Sequence, residues 1–279
     1  MPVRDNDGKL PSKEDDQIKM RKEHFQKVLN RPTPEIGTEL ADDNEELSTN
    51  CGKISKNEIK NTVNNLKNGR ASGGDNIPPK IWKTDPSTTA DILYDLLNVI
   101  WEMEVIRDEW KQGLLIDIKV PKKGNLSHCG NWRGIMLLSV SSKILTRIIL
   151  ERLKTALDAK FRNEQAGFGS GRSRVDQIAT LRIIVEQSIE WQRTLYLSSV
   201  DFTNAFDSID REGLWRLLRH YRVPTKIEKV MTGTYNNVRA QVANNNKLSD
   251  PFEIRTGVRQ GCLLSPLLIL VVIDSVDPY

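Results

Sequence analysis

The residues whose types and spacing suit chemistry lie in Val200-Asp201-Phe202-Thr203-Asn204-Ala205-Phe206-Asp207-Ser208-Ile209. The stretch before them, Leu195 to Val200, is mostly apolar and bounded by turn formers, which predicts a short buried strand. Asp201 stands where that strand runs out. A buried carboxylate without a partner is costly. It is tolerated where it pairs with a base or holds a hard cation such as Mg²⁺, which prefers carboxylate and phosphate oxygens. The plainer reading makes Asp201 a strand-end cap and Asp207 or Asp210 the N-cap of a following helix. Taken alone, the segment fits both.

Three further features bear on the choice. A basic turn, Pro121-Lys122-Lys123-Gly124, precedes Asn131-Trp132-Arg133, and Gly257-Val258-Arg259-Gln260-Gly261 places a glutamine beside glycine. Competing chemistries lack their signatures. Gly52-Lys53 is followed by Ile54 without the glycine spacing of a phosphate-binding loop, and no Gly-x-Ser-x-Gly elbow occurs. Cys51, Cys129 and Cys262 lie far apart, which argues against a disulfide framework and against a structural zinc. What remains is a basic loop, a strand-end Asp, an aromatic five residues on and a glycine-flanked Gln. Those are the parts nucleotidyl transfer needs, because phosphoryl transfer is mostly positioning and charge neutralisation.

The elements that must position these residues are legible in outline. Ser55 with Glu58 makes a capping box and Ile54 with Ile59 a hydrophobic staple, opening a helix through Val63 and Leu66. A loop over 67–79 follows, then a helix near Ala90 to Trp101. Leu114, Ile116, Ile118 and Val120 alternate as a strand. Helices are expected over Ser142 to Leu157 and over Ser173 to about Trp191, the latter with Ile178, Leu181, Val185 and Ile189 inward. Thr225 with Glu228 reads as another cap, and Val238, Ala240 and Val242 as a strand turning at Asn244-Asn245-Asn246 toward Phe252 and Ile254. The mixture is α+β with a small, mainly antiparallel sheet.

Charge divides the 279 residues unevenly. Residues 1–50 carry a net −4 and the remainder +8, so an acidic leader precedes a mildly basic body compatible with a polyanion. Residues 1–50 read as a polar leader, although Ile18 to Leu29 patterns as one amphipathic helix. The longest apolar run, Leu267 to Ile273, is far too short for a bilayer span, and the start shows no signal peptide. A soluble intracellular protein, of the cytoplasm or nucleus, is expected.

The order of motifs resembles the reverse transcriptase of non-LTR (LINE-type) retrotransposons, most closely the RTE/Bov-B branch. Residues 67–78, 121–139, Gln165-Ala166-Gly167-Phe168 with Arg172-Ser173, Asp201 to Ser208 and Gly257 to Pro266 resemble five successive blocks of that family. The resemblance implies a right-hand polymerase. Residues 51–105 would be a helical N-terminal extension and 106–279 the fingers and partial palm, without a thumb. It implies two Mg²⁺ ions, with Asp201 as ligand of both and the Phe202 carbonyl assisting. Arg133 and Lys122 or Lys123 would neutralise the triphosphate. Phe206 would be the steric gate against a 2′-OH. Gln260 and Gly261 would line the nascent base-pair pocket. The partners implied are an RNA template, a DNA primer and dNTPs.

Some positions depart from the family pattern. Gly74 stands where proline is usual and Met136 where a small polar residue is usual. The family's aromatic-x-Asp-Asp turn is not found before Tyr279, so this chain is expected to polymerise DNA poorly, if at all. The alternative is a non-catalytic nucleic-acid-binding remnant of a retroelement.

Overall fold

Helix starts and stops follow local chemistry. In the computed structural model, which describes residues 4, 13–34, 46–119, 125, 127–167, 171–245 and 247–275, the Ser55 hydroxyl accepts from Glu58 N at 3.2 Å. The Glu58 carboxylate in turn accepts from Ser55 N at 2.8 Å. That closes the capping box of α2 (Lys56–Asn64), with Ile54 and Ile59 fully buried around it. Before it runs α1 (Glu14–Val28); after it come α3 (Pro79–Thr84) and α4 (Pro86–Met103), the last capped by Asp85, whose side chain accepts from Ser87 N and Thr88 N. α5 (Asp108–Lys111) leads into the sheet, and α6 (Val140–Asp158) buries ten residues of one broad face, Ile144, Leu145, Ile149 and Leu153 among them.

Five strands form one mixed sheet. β1 (Gln112–Lys119) pairs antiparallel with β2 (Trp132–Leu137), Leu114 opposite Leu137 and Lys119 opposite Trp132. On its other side β1 runs parallel to β3 (Arg239–Asn244), Gln112 opposite Arg239 and Ile116 opposite Ala243. The short strands β4 (Lys247–Leu248) and β5 (Phe252–Glu253) pair antiparallel with β3. The expected antiparallel majority therefore includes one parallel pair. Helix α1, drawn from the stretch read as a leader, packs on β3 and β5 and sends Phe25 into the core. Its ring lies against Gly134, where an added Cβ would come within 2.7 Å of it.

The remaining helices are α7 (Arg174–Glu190), α8 (Ala205–Ser208), α9 (Arg211–His220), α10 (Thr225–Tyr235) and α11 (Ser265–Asp274). Three expectations are corrected here. Leu195 to Val200 is neither strand nor buried: Tyr196 and Val200 are exposed and none of the five described strands pairs with the segment. A strand exists only through a partner's backbone, which the apolar pattern cannot supply. The face of α7 expected to point inward is open as well, with Ile178, Leu181 and Ile189 exposed and no residue of the helix buried. Finally, Thr225 is the first residue of α10 and not its cap, which is Pro224; Glu228 instead accepts from Arg219 Nη1 at 2.7 Å.

Among the described residues no helix is long and apolar enough to cross a membrane.

Candidate functional site

Two distant stretches are zipped together. Past Asp201 the chain turns through Asn204, which adopts φ +55° and starts α8, and Asp207 N donates back to Asn204 O at 2.8 Å. Asn tolerates that left-handed conformation better than other side chains. The 205–209 turn is then bound to residues 256–258: Val258 N donates to Phe206 O at 2.7 Å, Gly257 N to Ile209 O at 2.8 Å, and Thr256 Oγ1 to Asp207 O at 3.1 Å. Gly257 has φ +74°, and a Cβ there would sit 2.6 Å from Phe206 O. Only glycine lets the two backbones approach this closely.

The second connection runs to β2. Met136 N donates to Gln260 O at 2.7 Å, and Gly261, at φ +114°, backs onto the Met136 carbonyl, which any Cβ would strike. The Gln260 side chain crosses to the turn, its Nε2 lying 2.8 Å from Asp207 Oδ1 and 2.9 Å from Oδ2. Burial raises the Asp207 carboxyl above the ordinary aspartate range. The Gln260 hydrogen bond, and the positive charges of Arg133 and Arg31, act in the opposite direction and only partly offset it.

Beneath this junction sit two arginines, Arg259 buried and Arg211 half-buried. Arg211 donates to the carbonyls of Gly257, Tyr235, Ile254 and Thr256 at 3.0, 3.0, 2.9 and 3.3 Å. Arg259 donates to Trp110 O at 3.3 Å and stacks on Tyr235 at 4.8 Å, with Arg211 5.1 Å from the same ring. A cavity of about 20 Å³ lies among Asp207, Arg211, Arg259 and Gln260. It has room for a water-sized molecule and none for a nucleotide. Any larger ligand must therefore approach from the outer, solvent side of the junction.

Of the residues singled out in the sequence, Arg133 (exposed on β2), Phe206 (half-buried against the core), Gln260 (half-buried) and Gly261 (exposed) converge there. Asp201 is exposed and Phe202 is 53% exposed, both upstream of the turn on the unpaired segment. No hydrogen bond or ion pair among the described residues ties Asp201 to Arg133 or Gln260. Lys122 and Lys123 lie outside the described residues. Sequence reasoning missed Asp207, Arg211 and Arg259. The only signal for Asp207 was its place after Phe206, and the capping role open to it falls to Asp210, whose carboxylate accepts from Gly213 N at 2.7 Å.

Residues 120–278, more than half of the chain, match the family model described as reverse transcriptase (RNA-dependent DNA polymerase). A probable RNA-directed DNA polymerase from transposon BS of Drosophila melanogaster is 27% identical over 283 residues, covering 97% of this chain and 31% of that protein. The Transposon TX1 uncharacterized 149 kDa protein of Xenopus laevis is 31% identical over 56% of this chain and 12% of its own length. The Pol polyprotein of the element R2DM, also from Drosophila melanogaster, is 23% identical over 90% of this chain and 23% of its own. The chain thus spans less than a third of these relatives. A partial Cas6-RT-Cas1--Cas2 complex superposes with a TM-score of 0.43 at 16% identity, over 79% of this chain and 33% of that one. With a family model matched across most of the sheet, the zipped turn and the Gln260 junction, this chain belongs to the reverse transcriptase (RNA-dependent DNA polymerase) family.

Proposed function

We propose that the chain is the fingers and part of the palm of a right-hand, RNA-directed DNA polymerase from an RTE/Bov-B-like non-LTR retrotransposon, acting on an RNA template, a DNA primer and dNTPs. The observation that carries this reading is the junction at Gln260. It joins β2, the Phe206 turn and the 257–261 loop through one side chain and one backbone bond. The three stretches that meet carry Arg133, Phe206 and Gln260, three of the residues whose types suit nucleotidyl transfer.

Each residue has a role in this reading. Arg133, with Lys122 or Lys123, binds and neutralises the triphosphate. The ring of Phe206 closes the space a 2′-OH would need. Gln260 and Gly261 line the pocket of the new base pair. Asp201 and the carbonyl of Phe202 are oxygen donors of the type a hard cation such as Mg²⁺ takes. Among the described residues no three His, Cys, Asp or Glu side chains cluster to hold a metal. A metal held by Asp201 and the Phe202 carbonyl would supply charge neutralisation for phosphoryl transfer.

The test is extension of a DNA primer on an RNA template by the purified chain, with dNTPs and a divalent cation. Extension that Asp201→Ala abolishes while template binding persists supports the proposal. Salt-sensitive nucleic-acid binding with neither incorporation nor a dNTP-dependent complex on primed template under any divalent cation would overturn it in favour of a non-catalytic remnant.

A further inference from the structure

Gln260 is an amide with two unlike ends, one that donates and one that accepts, and its environment settles which end is free. Asp207 faces its Nε2 with both carboxylate oxygens, at 2.8 and 2.9 Å. An ionised carboxylate has lone pairs and no proton to give, so it can engage Nε2 and cannot engage Oε1. Turning the amide over would set Oε1 against the carboxylate, oxygen against oxygen. Asp207 is itself immobilised, since its own carbonyl accepts from Thr256 Oγ1 and its neighbour's carbonyl from Val258 N. Burial pushes the Asp207 carboxyl up, and against it the Gln260 hydrogen bond, Arg133 from β2 and Arg31 from the segment after α1 all favour the ionised form, the one that holds Nε2 with both oxygens.

We propose that Asp207 is a positioning residue that commits Gln260 to act as a hydrogen-bond acceptor toward the nucleotide. The inference rests on the reading above that Gln260 lines the nucleotide pocket, and it narrows what Gln260 recognises there. Oε1 takes a donor. Phosphate oxygens, and the unprotonated ring nitrogens and carbonyls of bases, accept and are excluded. With the ring N–H groups of guanine and thymine taken up in pairing with the template, the donors an incoming deoxynucleotide still offers are its sugar hydroxyl and the exocyclic amino groups of its bases. Gln260 therefore reads the sugar or base and leaves the triphosphate to Arg133.

The test uses three isosteric variants of the full chain: Asp207→Asn, Gln260→Glu and the double substitution. The readout is the dGTP concentration that half-saturates the ternary complex with primed RNA template in Mg²⁺. Gln260→Glu sets two carboxylates face to face and is expected to raise that concentration about tenfold, the scale of one hydrogen bond lost at a buried polar site. Adding Asp207→Asn turns an amide donor toward the carboxylate introduced at position 260 and frees its other oxygen to accept, so the double variant recovers most of the loss. A role in packing alone predicts no such rescue, and its absence overturns the proposal.

Replacing dGTP by its 3′-deoxy analogue, or by dITP, which lacks the 2-amino group, identifies the donor: wild type loses about tenfold on one of the two. Equal binding of all three overturns the acceptor role. The clamp is read separately in the free chain, from the Gln260 side-chain amide resonances, which titrate with Asp207 in wild type and stop doing so in Asp207→Asn. A titrating amide with no nucleotide-dependent complex in wild type retains the clamp and sinks the polymerase reading. An amide that ignores Asp207 sinks the inference.

Discussion

Arg211 is the position where a single truncation should cost most. Its guanidinium donates to four backbone carbonyls, Gly257, Tyr235, Ile254 and Thr256, and so ties the start of α9 to the end of α10 and to the segment 254–257 that leads into the Gln260 junction. Burial pushes its pKa down to about 10, and the group stays charged at neutral pH. Hydrogen bonds from a charged donor contribute about 1.5–3 kcal/mol each, and four at the low end come to roughly 6 kcal/mol. Against that stands the cost of burying the cation. The depression of its pKa to about 10 corresponds to roughly 3 kcal/mol, at about 1.36 kcal/mol per pH unit. Arg211→Ala should therefore destabilise the fold by about 3 kcal/mol net, a Tm drop of ~6–12 °C for a chain of this size. Arg211→Lys, with three donors and no planar fork, should recover part of it. The assay is urea unfolding followed by circular dichroism, comparing midpoints at unchanged slope. A loss under about 1 kcal/mol for Arg211→Ala would refute the reasoning, because it would mean that water satisfies the four carbonyls as well as the guanidinium does.

Two further outcomes are expected. Burial pushes the Glu58 carboxyl up, but hydrogen bonds from Arg152, at 2.7 and 3.0 Å, and from the Ser55 amide and hydroxyl outweigh it and hold the group below its usual 4.5. The resulting stability is present above pH 4.5 and is lost as pH falls through the lower folded value. Thermal melts should thus show a steep acid limb below that point that Glu58→Gln flattens. Gly257→Ala meets a left-handed φ of +74° and the Phe206 carbonyl at 2.6 Å, and should cost about 2–4 kcal/mol in the same urea assay. Wild-type stability would show that the 205–209 turn moves aside freely.

How much was legible before the structure depends on the range over which each decision is taken. Local contacts could be read directly. The Ser55–Glu58 box, the staple of Ile54 on Ile59, the long apolar face of α6 and the Asn245 turn all rest on neighbours within a few residues in the chain. The ordered motifs were legible too, because a family resemblance is a linear property of the chain, and the family match over residues 120–278 bears it out.

Pairing was not legible. Leu195 to Val200 has the composition of a strand, yet a strand is completed by hydrogen bonds to another segment, and composition says nothing of whether one arrives. The same holds for the helix Arg174–Glu190, whose apolar residues are exposed because nothing described covers them. Register within the sheet was equally hidden: the parallel pairing of Gln112–Ile116 with Arg239–Ala243 joins residues more than 120 positions apart. Nor could any local signal show that Asp207 would clamp Gln260, or that Arg211 would gather four carbonyls. Sequence by itself determined which residue types and local helices this protein has, since propensity and capping act within a turn or two. Only the tertiary structure decided which of them meet, because burial and hydrogen-bond partners are assigned when distant segments pack.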